Sequence, residues 1–178
     1  MEVLVDVGAG FGWFAGLVAA EGLARRVVAV EPNPELAAAC RGVEGLEVIE
    51  SVIEDCSELL QADVITCFEL LEHVFAPLEV ARACYRGLKP GGLFLCSTPN
   101  WRGFDIALLG PRSDNVAGPN HLQLFHPYSL RCMLQKAGFV EVSVSTPGYL
   151  DVDIIYKRGS SLFRVGRLSL PKDVSNKE

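Results

Sequence analysis

Apolar and polar positions along this chain follow two alternating periods. Short apolar runs, rich in β-branched residues, recur at Val3–Val7, Val27–Val30, Leu46–Ile49, Ala62–Phe68 and Leu93–Ser97. Continuous runs of this length bounded by turn residues read as strands buried on both faces. Between them the apolar spacing becomes helical, first through Glu21 and later over Pro77–Leu88, where Leu78, Ala81, Cys84, Tyr85 and Leu88 share one face. The acidic stretch Glu54–Gln61 is helix-compatible, and Lys89-Pro90-Gly91-Gly92 ends the helix before the fifth strand. Strands alternating with helices predict right-handed crossovers and a doubly wound parallel sheet. Ligands of such sheets bind outside the carboxyl ends of the strands, so Asp6–Gly12, Glu31, Phe68–His73 and Thr98–Asn100 are expected to converge on one cleft.

The first of these strand ends is the richest in chemistry. Its run carries one acid, Asp6, and breaks into Gly8-Ala9-Gly10-Phe11-Gly12 before the helical period resumes. Glycines let backbone approach a ligand closely, and the helix start offers unpaired N–H groups. The second strand ends on Glu31, 21 residues past Gly10, near the roughly 20-residue spacing at which a carboxylate takes ribose hydroxyls. The dinucleotide fingerprint G-x-G-x-x-G would need a glycine where Trp13 stands. A carboxylate at Asp6 also suits a ligand with a positive amine and repels a pyrophosphate. Both features weigh against a nicotinamide-dependent oxidoreductase, which shares the strand–turn–helix start.

These residues resemble motif I of the class I S-adenosylmethionine-dependent methyltransferases, commonly D-x-G-x-G-x-G. The resemblance extends through CFELLEHV (Cys67–Val74), GLKPGGLFLCSTPN (Gly87–Asn100) and HLQLFHPYSLRCMLQKAGF (His121–Phe139). It is closest to the branch holding ubiquinone-biosynthesis O-methyltransferases and bacterial small-molecule and glycan methyltransferases, and it covers residues 1–156. It implies an α/β, Rossmann-like, doubly wound and mostly parallel seven-stranded sheet with an antiparallel last strand. Val140–Ser145 and Val152–Tyr156 would form the closing pair. The helical cap that usually precedes the first strand is expected to be missing, since Met1 stands directly before it. That leaves a non-catalytic S-adenosyl-ligand-binding module as an alternative.

The same resemblance assigns roles. Gly8, Ala9, Gly10 and Gly12 would run beside the methionine moiety of S-adenosylmethionine, and Asp6 would neutralise its amine. Glu31 would take the ribose hydroxyls, with Pro32 flanking the adenine. Ile53 and Glu54 would contact adenine, although Ile53 reads equally well as core, and Phe68 and Glu69 would close over the methionine end. His73 and Glu72 follow the fourth strand on the rim facing the transferred methyl. His73 is therefore expected to act as base or substrate anchor, with Glu72 and with His121 from the lid. The string Glu69-x-x-Glu72-His73 with His121 also resembles a divalent-metal pattern of small-RNA 2′-O-methyltransferases, yet it equally suits a helix start. No metal ligand is assigned. His126, ahead of Pro127, reads as a helix start.

Composition narrows the partners. The formal net charge is −6 and the pI about 5.1, which argues against a nucleic-acid backbone as partner. Residues 1–156 hold 10 basic and 20 acidic side chains, whereas 157–178 hold 6 and 2, so a basic tail is expected to follow the catalytic domain. The six cysteines include no C-x-x-C pair, which fits free thiols in a reducing cytoplasm and neither a zinc site nor a disulfide framework. No apolar run approaches the roughly 20 residues that span a bilayer, and no signal peptide is expected. The long irregular stretch Trp101–Leu124, on the ligand edge of the sheet, reads as a lid with Trp101 and Phe104 as candidate acceptor contacts. The acceptor expected is a small-molecule or sugar hydroxyl.

Overall fold

In the computed structural model, residues 1–113, 116 and 120–147 are described. Val3–Val7 forms the central strand β1, every residue of it buried. It pairs in parallel with β2 (Arg26–Val30) on one side and with β4 (Ala62–Phe68) on the other. The strands β3 (Leu46–Ile49) and β5 (Leu88–Ser97) extend the sheet to the order β3-β2-β1-β4-β5, all parallel. The helices are α1 (Trp13–Ala20), α2 (Pro34–Arg41), α3 (Ile53–Cys56), α4 (Pro77–Gly87), α5 (Phe104–Leu109) and α6 (Pro127–Ala137).

The continuous apolar runs have the expected cause, because helices cover the two faces of β1. Val3, Val5 and Val7 join Ile65, Cys67, Val80, Cys84 and Leu134 in a core beneath α4 and α6. Leu4 and Val27 pack on the other face with Ala15 and Val18 of α1. Strand reversal occurs at β1, where the chain moves from β3 back across to β4. That is the switch point at which open α/β sheets form a crevice.

The junction of α4 and β5 differs from the sequence expectation. Helix α4 stops at Gly87, and β5 starts at Leu88, five residues before Leu93. Leu88 already pairs with Ala62, and Lys89–Gly92 bulges out before Leu93 pairs with Val64. The bulge has an anchor: Lys89 Nζ lies 2.7 Å from Asp63 Oδ1. Asp63 also accepts the Glu2 and Val3 amides at 2.7 and 2.9 Å. The lysine first, and these amides after it, hold its carboxyl at about 2.

Among the described residues the sheet has five strands, and part of the expected closing pair falls beyond them. Val140–Ser145 is not strand, although Val142 and Val144 pack against the core, and Val152–Tyr156 lies outside the described residues, as does the tail 157–178. Periodicity in sequence reports which side chains are buried. It does not supply the neighbouring backbone that a ladder needs. Beside β5 a groove of about 920 Å³ runs between Phe94–Thr98 and Glu141–Pro147.

Ile65, fully buried at the middle of β4, carries this packing. Ile65→Ala is expected to cost about 2–5 kcal/mol in urea unfolding, the range for emptying a well-packed core site. A loss under 1 kcal/mol would contradict the packing described.

Candidate active site at the carboxyl edge of the sheet

The turn after β1 is built on left-handed glycines. Gly8, Gly10 and Gly12 have φ of 72°, 58° and 74°, where L side chains are strained. The three are needed for different reasons. A Cβ on Gly8 would lie 3.0 Å from Leu70, and one on Gly12 would lie 3.1 Å from both Cys40 Sγ and Leu46. A Cβ on Gly10 would meet nothing within 4 Å. The Gly10 peptide therefore fronts open space, the cradle a cofactor needs. Gly12 N–H closes the turn on Ala9 O at 2.8 Å and caps α1.

Glu31, at the end of β2, is the partner of this turn. The residue is 6% exposed. Oε2 accepts the Gly10 N–H at 2.9 Å, and Oε1 accepts the Asn33 N–H at 3.0 Å. Asn33 in turn caps α2, taking the Glu35 and Leu36 amides ahead of Pro34. Pro32, between them, is exposed. A carboxylate oxygen has lone pairs beyond one hydrogen bond, so Glu31 can hold the glycine turn and still take hydroxyls from a ligand.

Asp6 lies opposite Thr66 in the β1–β4 register. It is 4% exposed, and Thr66 Oγ1 donates to its Oδ1 at 2.7 Å. Burial raises the Asp6 carboxyl to about 6, with the threonine bond pulling the other way. A buried acid with a raised pKa beside a ligand turn gains from a cationic partner. Thr66 went unremarked in the sequence reading. A polar residue inside the buried run ADVITCF was the signal available.

The ends of β4 and β5 form the second half of the site. Phe68 is partly exposed and meets Phe14 of α1 edge-on at 5.0 Å. Glu69 has φ 50°. That strained turn brings its Oε1 to the Ser97 hydroxyl at 2.7 Å while its N–H reaches Ser97 O. Glu72 is 1% exposed, and its Oε2 accepts the Thr98 hydroxyl at 2.9 Å. Its Oε1 is buried, and no described residue gives it a hydrogen bond.

His73 is fixed by the Trp101–Leu124 stretch. Its Nδ1 lies 2.8 Å from Asn120 O. A carbonyl only accepts, so Nδ1 carries the proton and, in the neutral ring, Nε2 is left with its lone pair. That Nε2 is 3.8 Å from Glu72 Oε1. His121 stacks edge-on to His73 at 4.7 Å. The Glu72 carbonyl takes the Leu122 and Gln123 amides at 2.7 and 3.0 Å, tying the end of the Trp101–Leu124 stretch to the rim.

Three further residues have other surroundings. Ile53 is 3% exposed and belongs to the core, so its side chain has little surface to offer adenine. Glu54 is exposed at the start of α3. His126 caps α6, as its position before Pro127 suggested. The groove beside β5 lies along the sheet edge, and its end at Glu69, Ser97, Thr98 and Asn100 reaches this cleft.

The family profile described as a methyltransferase domain matches residues 2–144. The chain belongs to that family. It is 31% identical over 170 residues to a ubiquinone biosynthesis O-methyltransferase of Vibrio atlanticus, covering 89% of this chain and 72% of the relative. A probable S-adenosylmethionine-dependent methyltransferase of Mycolicibacterium smegmatis is 30% identical, over 76% of this chain and 51% of that one. In fold it resembles the S-adenosylmethionine-dependent methyltransferase of Mesorhizobium loti, at TM-score 0.65 and 20% identity, covering 90% and 85% of the two chains. The methyltransferase is thus an S-adenosylmethionine-dependent enzyme. Among the described residues no helix is long and apolar enough to cross a membrane.

Asp6 gives this enzyme a testable pH dependence. Its pKa rises on folding from 3.8 to about 6. The stability it contributes is therefore fully present below pH 3.8 and is lost as pH rises through 6. Asp6→Asn removes that loss and keeps an acceptor for Thr66. The variant is expected to be about 1–2 kcal/mol more stable than wild type at pH 8, with the gap narrowing as pH falls through 6 and closing only near pH 3.8. Urea midpoints across that range measure this, and a gap independent of pH would contradict the buried-acid account.

Proposed function

We propose that this methyltransferase methylates a hydroxyl of a small molecule, with the cofactor on the glycine turn and His73 beside the acceptor. The observation that carries the reading is the Glu72–His73 pair. A buried carboxylate oxygen with no donor among the described residues faces an imidazole nitrogen with a free lone pair. Leaving such an oxygen unpaired costs about 1–3 kcal/mol or more, and a proton taken up by His73 Nε2 would face it. The ubiquinone-pathway relatives, named as O-methyltransferases, favour oxygen as the acceptor atom.

Cofactor-binding roles follow from chemistry on the turn. Gly8, Ala9, Gly10 and Gly12 supply backbone beside the methionine moiety, and side chains at the three glycine positions would strain the turn. Glu31 accepts ribose hydroxyls while holding Gly10, and Asp6 sits near the amine with Thr66 orienting its carboxyl. Phe68 walls the cleft beside Glu69. Bound S-adenosylmethionine supplies an electrophilic methyl on a sulfonium centre. Displacement there depends mainly on holding nucleophile and methyl in line. His73 Nε2 takes the hydroxyl proton, and Glu72 and His121 steady the ring and its developing charge. An acidic body disfavours nucleic acid, and six free cysteines suit a cytoplasmic setting.

A divalent ion is the second reading. Ligand atoms of Glu72, His73 and His121 all lie within 4.8 Å of one another. A mixed carboxylate and imidazole set suits a borderline cation. The unpaired Oε1 would then be a ligand.

Three measurements separate these readings. Glu31→Ala is expected to weaken S-adenosylhomocysteine binding by about 1–3 kcal/mol in calorimetry, because the ribose loses a charged acceptor. Unchanged affinity in a folded variant would remove Glu31 from the site. For His73→Ala, turnover is expected to fall about 10²–10⁴-fold at unchanged cofactor affinity, and equal turnover would make the residue structural. Loss of activity on chelation, restored by a divalent ion, would replace the base with the metal reading.

A further inference from the structure

The Gly10 peptide is gripped from two sides. Glu31 holds its N–H, and Cys40 holds its carbonyl: the thiol lies 3.1 Å from Gly10 O. Cys40 stands in the last turn of α2 and is fully buried. The same sulfur sets the clearance behind Gly12, whose Cβ would approach it to 3.1 Å. Burial first, and then the charges of Glu31 and Asp6, push the thiol up from its ordinary value. It is therefore protonated, and a donor, at neutral pH.

From this geometry we infer that Cys40 is a positioning residue for cofactor binding, fixing the left-handed Gly10 peptide through its carbonyl. The inference rests on the glycine turn being the cofactor site. Gly10 has no side chain to hold it, and the space in front of it is open. Its conformation depends on what its two polar groups bond to. Glu31 is expected to share its carboxylate with the ligand, which leaves the thiol as the contact that stays when the cofactor arrives. The thiol reaches the Gly10 carbonyl from a fully buried position.

The test compares three substitutions in the full chain, with S-adenosylhomocysteine as probe. Cys40→Ala removes the donor. Cys40→Ser keeps a donor while packing less well, and Cys40→Val fills the volume without one. Calorimetric Kd is expected to rise about three- to tenfold in Cys40→Ala, the range of one neutral hydrogen bond. It is expected to stay within about twofold of wild type in Cys40→Ser, and kcat at saturating cofactor should hold in both while KM for cofactor follows Kd. Equal weakening by Ala and Ser, or none by Ala, would overturn the role. Should Cys40→Ala not fold, Cys40→Val carries the comparison: weaker binding than Cys40→Ser supports the clamp, and equal binding overturns it. Glu31→Ala run alongside separates the two claims, since a variant that binds like wild type there would remove the site itself and not only the clamp.

Discussion

The hydrogen bond from the Gly10 amide to Glu31 ties the two halves of this cleft together. It joins the turn after β1 to the end of β2, and through Asn33 it joins both to the start of α2. The parallel β1–β2 register makes it possible, because Val7 pairs with Val30 and leaves Gly8 and Glu31 at the same level. Backbone bonds from the Gly8 and Ala9 amides to Val30 O reinforce the junction. If the carboxylate were removed, the turn of three left-handed glycines would lose its side-chain anchor on the ligand side.

Function is visible where the protein accepts a cost. Asp6 and Glu72 are acids buried at the carboxyl edge of the sheet, each with a single threonine hydroxyl among the bonds described for its side chain. Core packing alone would favour apolar residues at both positions. Glu69 adds backbone strain at the tip of β4, and such outliers persist where surrounding structure over-determines them. These groups flank the glycine turn on one side and the His73 rim on the other. A cationic, hydroxyl-bearing ligand addresses both deficits, which is why the stability and binding of this enzyme are expected to pull in opposite directions at Asp6.

Much of this was legible in sequence because buried parallel strands leave a strong mark. The boundaries of β1, β3 and β4 follow directly from their apolar runs, and the Gly-x-Gly-x-Gly turn with Asp6 and Glu31 announces the cleft. What escaped was partnership across the fold. Nothing local in AAACRG marks Cys40 as the donor to Gly10, and Thr66 and Thr98 are matched to their acids only by register and by the rim turn. Lys89–Gly92 reads as a plain terminator, yet Asp63 holds it as a bulge within a strand. Ile53 illustrates the converse, since a motif position predicts adenine contact while packing assigns it to the core.

Amide chemical shifts in a titration with S-adenosylhomocysteine test the central claim most directly. The account predicts the largest changes at Gly8–Gly12, Glu31–Asn33 and Phe68–Glu69, where β1, β2 and β4 end. Changes confined to the groove beside β5, at Phe94–Ser97 and Val142–Ser145, with the glycine turn unmoved, would contradict it.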